Sequence, residues 1–115
     1  MTITLYGIPN CDTVKKARQY LGDRGIAFHF HDYKKDGIAI ETLERWIEQV
    51  GWEKLLNKAG TTFKKLADAD KIGIDTDKAI ALMQANPSMI KRPVVEGGPN
   101  LLVGFNPEIY DREEL

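Results

Sequence analysis

Cys11 is the residue of this sequence best suited to covalent chemistry, and it is the one cysteine among 115 residues. It lies between an alternating segment, residues 2–6, that predicts a strand and a segment from Asp12 to Gly22 with helical periodicity. The first N–H groups of a helix favour an anion, and such a position can lower a cysteine pKa from about 8.5 to roughly 3.5–7.5. The sequence therefore allows a reactive thiolate or an inert buried thiol, since free cysteines are among the most buried residues.

The neighbours of Cys11 have opposing effects on such a thiolate. Lys15 lies one helical turn away and would stabilise the anion, Asp12 would oppose it, and the Thr13 hydroxyl is a possible hydrogen-bond donor to sulfur. With a single cysteine, no intramolecular disulfide can form, so disulfide chemistry must use a thiol from another molecule. A disulfide-stapled fold and a cysteine-based zinc site are excluded.

Composition predicts one globular domain, residues 1–115, with neither nucleic acid nor membrane as a partner. The net charge is −1 and 43% of the residues are apolar, which suits a chain with its own core and disfavours a phosphate-backbone binder. The sequence has no leader-like N-terminus and no run of 18 apolar residues, so we expect a cytoplasmic protein.

The predicted elements are a βαβ unit, a helical middle and a ββα unit. The predicted strands are residues 2–6, 27–33, 94–96 and 101–103, the last two joined by a turn at 97–100. The predicted helices are residues 12–22, one around 43–50 ended by Gly51, short pieces at 53–57, 62–67 and 77–85, and a last helix at 107–114. Thr61 or Thr62 and Asp75 or Thr76 are the expected caps of two of these helices.

Three motifs in this order are similar to those of the arsenate reductase and Spx family of thioredoxin-like proteins, in its YffB-like branch. They are Tyr6-Gly7-Ile8-Pro9-Asn10-Cys11-Asp12-Thr13-Val14-Lys15-Lys16-Ala17, Ile90-Lys91-Arg92-Pro93-Val94-Val95 and Leu102-Val103-Gly104-Phe105-Asn106. The resemblance implies an α/β, thioredoxin-like fold: a mixed four-stranded sheet flanked by helices, with a helical insertion between strands 2 and 3 at approximately residues 38–91.

The resemblance also implies site roles. Cys11 stands where the family has its nucleophile, Arg92 matches an arginine before the third strand, and Pro93 matches a cis-proline beside the reactive sulfur. The expected catalytic residues are Cys11 and Arg92, and the expected substrate-binding residues are Asn10, Thr13, Lys15, Arg92 and Pro93. The implied activity is that of a thiol-disulfide reductase whose mixed disulfide is resolved by glutathione as co-substrate, with no tightly bound cofactor.

Departures from the family pattern define two alternatives. Members that reduce arsenate carry two further arginines, but Asn57 stands at approximately the first place and Gly104-Phe105-Asn106-Pro107 offers none at the second, which argues against arsenate as substrate. Spx-type regulators mostly carry a Cys-x-x-Cys pair, whose second position here is Val14. A regulatory module that contacts a protein such as RNA polymerase is the alternative from another class.

Two remaining expectations concern metals and partners. His29 and His31 share one face of a predicted strand, and two histidines with no third ligand in view favour a polar surface over a zinc site. We expect no metal, glutathione and a small-molecule or protein disulfide as partners, and a monomer.

Overall fold

The computed structural model describes residues 2–115, which form four strands and eight helices. The strands are β1 (Ile3–Gly7), β2 (Phe28–Asp32), β3 (Val94–Glu96) and β4 (Leu102–Val103). The helices are α1 (Asp12–Asp23), α2 (Tyr33–Asp36), α3 (Ile40–Val50), α4 (Trp52–Leu55), α5 (Thr61–Lys64), α6 (Asp68–Lys71), α7 (Thr76–Ala85) and α8 (Pro107–Glu113). A 3-10 turn covers Pro87–Met89.

The strands form one mixed sheet in the order β2-β1-β3-β4. β1 is parallel to β2, whereas β3 is antiparallel to both β1 and β4. This arrangement, with helices packed on the sheet, confirms the predicted α/β, thioredoxin-like fold class. The β3–β4 hairpin also confirms the turn predicted at residues 97–100.

The sheet and two helices share a hydrophobic core because their apolar residues recur with the matching periods. The core consists of Ile3, Leu5, Val14, Ala17, Tyr20, Leu21, Val95, Leu102 and Tyr110, from β1, α1, β3, β4 and α8. Phe28 and Phe30 of β2 pack against this cluster, as their alternation predicts.

Gly7 permits the close approach of β1 to α1. A Cβ atom at this position would lie 2.7 Å from Cγ2 of Val14, which is fully buried. Real Cβ atoms essentially never approach another atom so closely, so the packing requires glycine where the chain leaves the sheet.

The chain forms two compact units, one from the residues up to Asp36 together with Arg92–Leu115 and the other from Gly37–Lys91. The first unit contains the sheet with α1, α2 and α8, and the second contains α3 to α7. In the second unit, Asp75 caps α7 by accepting a hydrogen bond from the Lys78 backbone N–H at 2.9 Å, as predicted. The assignment of residues 1–115 to a single domain stays a prediction.

Some predicted boundaries are wrong for local reasons. Tyr33 was expected in the second strand but begins α2, because the Asp32 side chain accepts a hydrogen bond from the Lys34 N–H at 2.9 Å and turns the chain. Gly60, and neither threonine, is the N-cap of α5. α6 and the 3-10 turn were not predicted. Among residues 2–115, no helix has both the length and the apolar character needed to cross a membrane.

Candidate active site at Cys11

Cys11 is the N-cap residue of α1, at the end of the loop that follows β1. Its backbone is extended, with φ −100° and ψ 124°, and its carbonyl accepts the first helical hydrogen bond from the Lys15 N–H at 2.9 Å. The side chain is partly buried and packs against the edge of the hydrophobic core. The thiol is therefore neither sealed in the interior nor fully exposed.

Arg92 and Pro93 reach the same edge of the sheet from β3. Because β3 runs antiparallel to β1 and pairs Val94 with Tyr6, the residues before Val94 lie beside the loop that follows β1. The Arg92–Pro93 peptide bond is cis, Pro93 is buried, and its carbonyl accepts a hydrogen bond from the Gly104 N–H at 2.8 Å. The Arg92 guanidinium group acts on the Cys11 thiol both as a hydrogen-bond donor and as a positive charge, and each effect lowers the pKa of the thiol.

The electrostatic balance at Cys11 favours the thiolate. Partial burial raises the pKa of the thiol, but the backbone N–H of Val14, the Arg92 side chain and the backbone N–H of Thr13 together outweigh this effect and lower it. Val14 and Thr13 both lie in the first turn of α1, where the helix dipole also favours an anion. The pKa of Cys11 thus lies below its usual range, as expected for a nucleophilic cysteine.

Three of the other predicted binding residues are accessible to solvent. Asn10, Thr13 and Lys15 are all exposed. Thr13 influences the thiol through its backbone N–H, and not through the hydroxyl that the sequence suggested. Neither Lys15 nor Asp12 is among the described groups that shift the Cys11 pKa.

The positions that depart from the family pattern have structural roles. Asn106 is the N-cap of α8, where its side-chain oxygen accepts hydrogen bonds from the N–H groups of Glu108 at 2.9 Å and Ile109 at 3.4 Å. Asn57 belongs to the second unit, where its N–H donates to the Met89 carbonyl at 2.7 Å. Val14 is fully buried in the core, so the position of a second redox cysteine is filled by packing.

Tyr6, His31 and Tyr33 form an aromatic cluster where β1 and β2 end. This cluster was not predicted from the sequence. The Tyr6 ring centroid lies 4.8 Å from that of His31 and 6.3 Å from that of Tyr33. The Tyr6 hydroxyl donates to Glu96 at 3.0 Å. A signal was present, since parallel pairing of β1 with β2 places Tyr6 opposite His31.

The two histidines of β2 lie in different surroundings. Within residues 2–115, no group of three or more His, Cys, Asp or Glu side chains is arranged to hold a metal ion. His29 is exposed, whereas His31 contacts the rings of Tyr6 and Tyr33.

The fold is that of a thioredoxin-like protein, here with a single cysteine placed at a helix N-terminus, and the chain belongs to the ArsC family, whose model matches residues 6–112. The chain is similar to the solved structure of the YffB (PA3664) protein, with 54% identity, a TM-score of 0.93, and coverage of 96% of this chain and 97% of that one. It is 42% identical over 108 residues to an uncharacterized protein of Haemophilus influenzae, covering 94% of this chain and 95% of that protein.

A further relative is the global transcriptional regulator Spx of Streptococcus agalactiae. The two are 29% identical over 124 residues, covering 98% of this chain and 89% of the regulator. The relatives of this chain therefore include proteins described as transcriptional regulators.

Proposed function

We propose that this protein is a glutathione-dependent thiol-disulfide reductase in which Cys11 is the nucleophile and Arg92 stabilises its thiolate. The observation that carries the proposal is the position of Cys11 at a helix N-terminus, where the first N–H groups of α1 and the Arg92 side chain lower the pKa of the thiol. A thiolate held in this way attacks sulfur electrophiles at neutral pH.

The reaction proceeds through two mixed disulfides. The Cys11 thiolate attacks one sulfur of a substrate disulfide, the substrate S–S bond breaks, and one substrate thiolate leaves and takes up a proton. A glutathione thiolate then attacks the Cys11 sulfur and releases the second substrate thiol, leaving Cys11 joined to glutathione. A second glutathione thiolate attacks the glutathione sulfur of this adduct, restoring the Cys11 thiolate and forming oxidised glutathione.

The side chains proposed to bind substrate near Cys11 suit glutathione, which is an anionic tripeptide. Arg92 offers a planar guanidinium group that matches a carboxylate, and Lys15 adds an exposed positive charge on α1. Asn10 and Thr13 are exposed on either side of Cys11 in sequence, and Pro93 directly precedes β3, next to Arg92. We assign these residues to substrate binding.

Two measurements test the proposal. We expect oxidised glutathione to give one adduct per chain by intact mass, absent in Cys11→Ser. We also expect turnover of hydroxyethyl disulfide with glutathione, measured by coupled formation of oxidised glutathione, to require Cys11. Formation of no adduct, or equal turnover by wild type and Cys11→Ser, would reject the reductase assignment.

The second candidate function is a regulatory module, which the Spx relatives favour. In that case Cys11 is dispensable, and a protein partner binds without it. A stoichiometric transcription-machinery partner that is captured equally by wild type and by Cys11→Ser, together with no glutathione turnover, would favour this candidate over the reductase. We expect arsenate as sole oxidant to give no glutathione turnover.

A further inference from the structure

Helices α3 and α7 of the second unit form an open groove that the proposed reaction does not use. Its volume is about 600 Å³. Among residues 2–115, the charged side chains that line it are four acidic ones and one basic one: Glu41, Glu44 and Glu48 of α3, Asp77 of α7, and Arg45 of α3. The groove therefore has a formal charge of −3.

The acidic lining does not follow from the composition of this unit. Residues 37–91, which form it, contain eight acidic and eight basic residues. The unit is thus formally neutral, and its negative charge is concentrated in the groove while the balancing positive charge lies elsewhere on the unit.

Two of the groove carboxylates are not explained by the stability of their helix. Glu41 and Asp77 lie in the first turns of α3 and α7, where the helix dipole favours an acid. Glu48 lies in the last turn of α3, where the dipole favours a base, and Glu44 precedes it by four residues. Like charges at this spacing repel each other, and Arg45 supplies one compensating charge for the two. A positively charged partner would convert the remaining repulsion into attraction.

The groove also has an apolar part, which indicates more than an ion-binding surface. Ile47 of α3 and Ile80 of α7 line it, and both side chains are half-buried. Within residues 2–115, the carboxylates do not form a group that could hold a metal ion. Apolar side chains flanked by acids match a helix whose apolar stripe is flanked by Lys and Arg. From Glu41 to Glu48, α3 rises by about 10 Å, which is close to two turns of a docked helix.

We propose that the groove between α3 and α7 binds a basic amphipathic helix of another protein. The apolar residues of that helix pack against Ile47 and Ile80, and its Lys or Arg side chains lie against the groove carboxylates. Cys11 belongs to the other unit, so this inference goes beyond the proposed reductase function and does not depend on it.

The test uses a fluorescein-labelled helical peptide, about four turns long, with leucine at the spacing i, i+3, i+4, i+7 and lysine elsewhere. Fluorescence anisotropy measures its Kd. We expect the double variant Glu44→Lys with Glu48→Lys to bind at least about tenfold more weakly, and Ile80→Ala to bind about three- to tenfold more weakly. Asp68→Lys with Asp70→Lys makes the same change of charge on α6, outside the groove lining, and should stay within about twofold of wild type.

A second pair of measurements excludes unfolding and locates the peptide. Glu44→Gln with Glu48→Gln should also bind more weakly, while its thermal stability, measured by circular dichroism, equals or exceeds that of wild type. In isotope-labelled wild-type protein, the peptide should shift the backbone amide signals of α3 and α7.

Four results would overturn the inference. They are no binding of the basic peptide to wild type, equal binding of a peptide with glutamate in place of lysine, equal loss of affinity in the α6 variant, and amide shifts confined to other elements. Cys11→Ser should bind the peptide as wild type does, so failure of the reductase proposal and failure of this one are distinguishable.

Discussion

Arg92 lowers the pKa of the Cys11 thiol, although 80 residues separate the two in the sequence. The sheet creates this relationship, because β3 runs antiparallel to β1 and its first residues lie where the Cys11 loop begins. A positive charge and the first N–H groups of α1 therefore act on the same sulfur. The proposed function requires that Arg92 and these N–H groups together lower the pKa of Cys11 by more than partial burial raises it.

Removal of the Arg92 charge should raise the pKa of Cys11. In Arg92→Ala the burial of the thiol is opposed only by the helix N–H groups, so we expect the thiolate fraction near neutral pH to fall by about three- to tenfold. The measurement is the ultraviolet absorbance of the thiolate against pH, with Cys11→Ser as the blank. Arg92→Lys should be intermediate, since it keeps the charge but loses the planar group. An unchanged titration in Arg92→Ala would show that Arg92 does not act on the sulfur.

Cys11 should make stability depend on pH in a defined direction. Its folded pKa is lower than its unfolded pKa, so the folded state binds fewer protons in the interval between them. The resulting stabilisation is fully present above the unfolded pKa of about 8.5 and is lost as the pH falls through the folded pKa.

We therefore expect the free energy of unfolding of wild type, minus that of Cys11→Ser, to increase with pH across this interval. Urea denaturation of both proteins at a series of pH values measures the difference, and Cys11→Ser cancels contributions from all other titrating groups. A difference that stays constant or decreases as the pH rises would contradict a lowered folded pKa.

Gly7→Ala should disturb the junction that places Cys11. The added Cβ would lie 2.7 Å from a buried methyl group of Val14, and overpacking of this kind costs about 1–3 kcal/mol. Gly22→Ala is the matched control, because Gly22 lies in α1 and its Cβ would meet nothing within 4 Å. That control should gain up to about 1 kcal/mol from helix propensity. Urea denaturation measures the free energy of unfolding of both variants and of wild type. Equal values for Gly7→Ala and wild type would show that the contact between Gly7 and Val14 leaves room for a Cβ atom.

Asn106 should stabilise the chain as the N-cap of α8. It lies in the segment of residues 104–107, which offers no counterpart of the second arginine of the arsenate-reducing members. Asn106→Ala removes the acceptor for two N–H groups of α8 and should lower the free energy of unfolding by about 1 kcal/mol. Asn106→Asp keeps a capping oxygen and should retain nearly full stability. If Asn106→Asp were destabilised as much as Asn106→Ala, the capping role would be wrong.

Local sequence signals were sufficient for much of the fold. Alternation at Ile3 and Leu5, helical spacing at Val14, Ala17 and Leu21, and the glycine-rich turn after β3 each follow from one element and its own period. The early end of β2 was missed because it depends on a single side-chain to backbone hydrogen bond, from the Lys34 N–H to Asp32.

The site was predictable only in part. The position of Cys11 before a helix follows from neighbouring residues, whereas its contact with Arg92 depends on strand order and on antiparallel pairing across the sheet. Tyr33 was assigned to a strand face, and its proximity to Tyr6 emerges only once the register of β1 with β2 is known. Long-range register cannot be derived from the period of a single strand.

Titration of Cys11 itself tests the central claim most directly. The rate of alkylation by iodoacetamide, measured in wild-type protein across a pH series, reports the fraction of Cys11 present as thiolate. The account predicts a midpoint clearly below about 8.5, the ordinary value for a free thiol. A midpoint at or above that value would mean that burial outweighs Arg92 and the helix N–H groups, and it would contradict the proposal that Cys11 is an activated nucleophile.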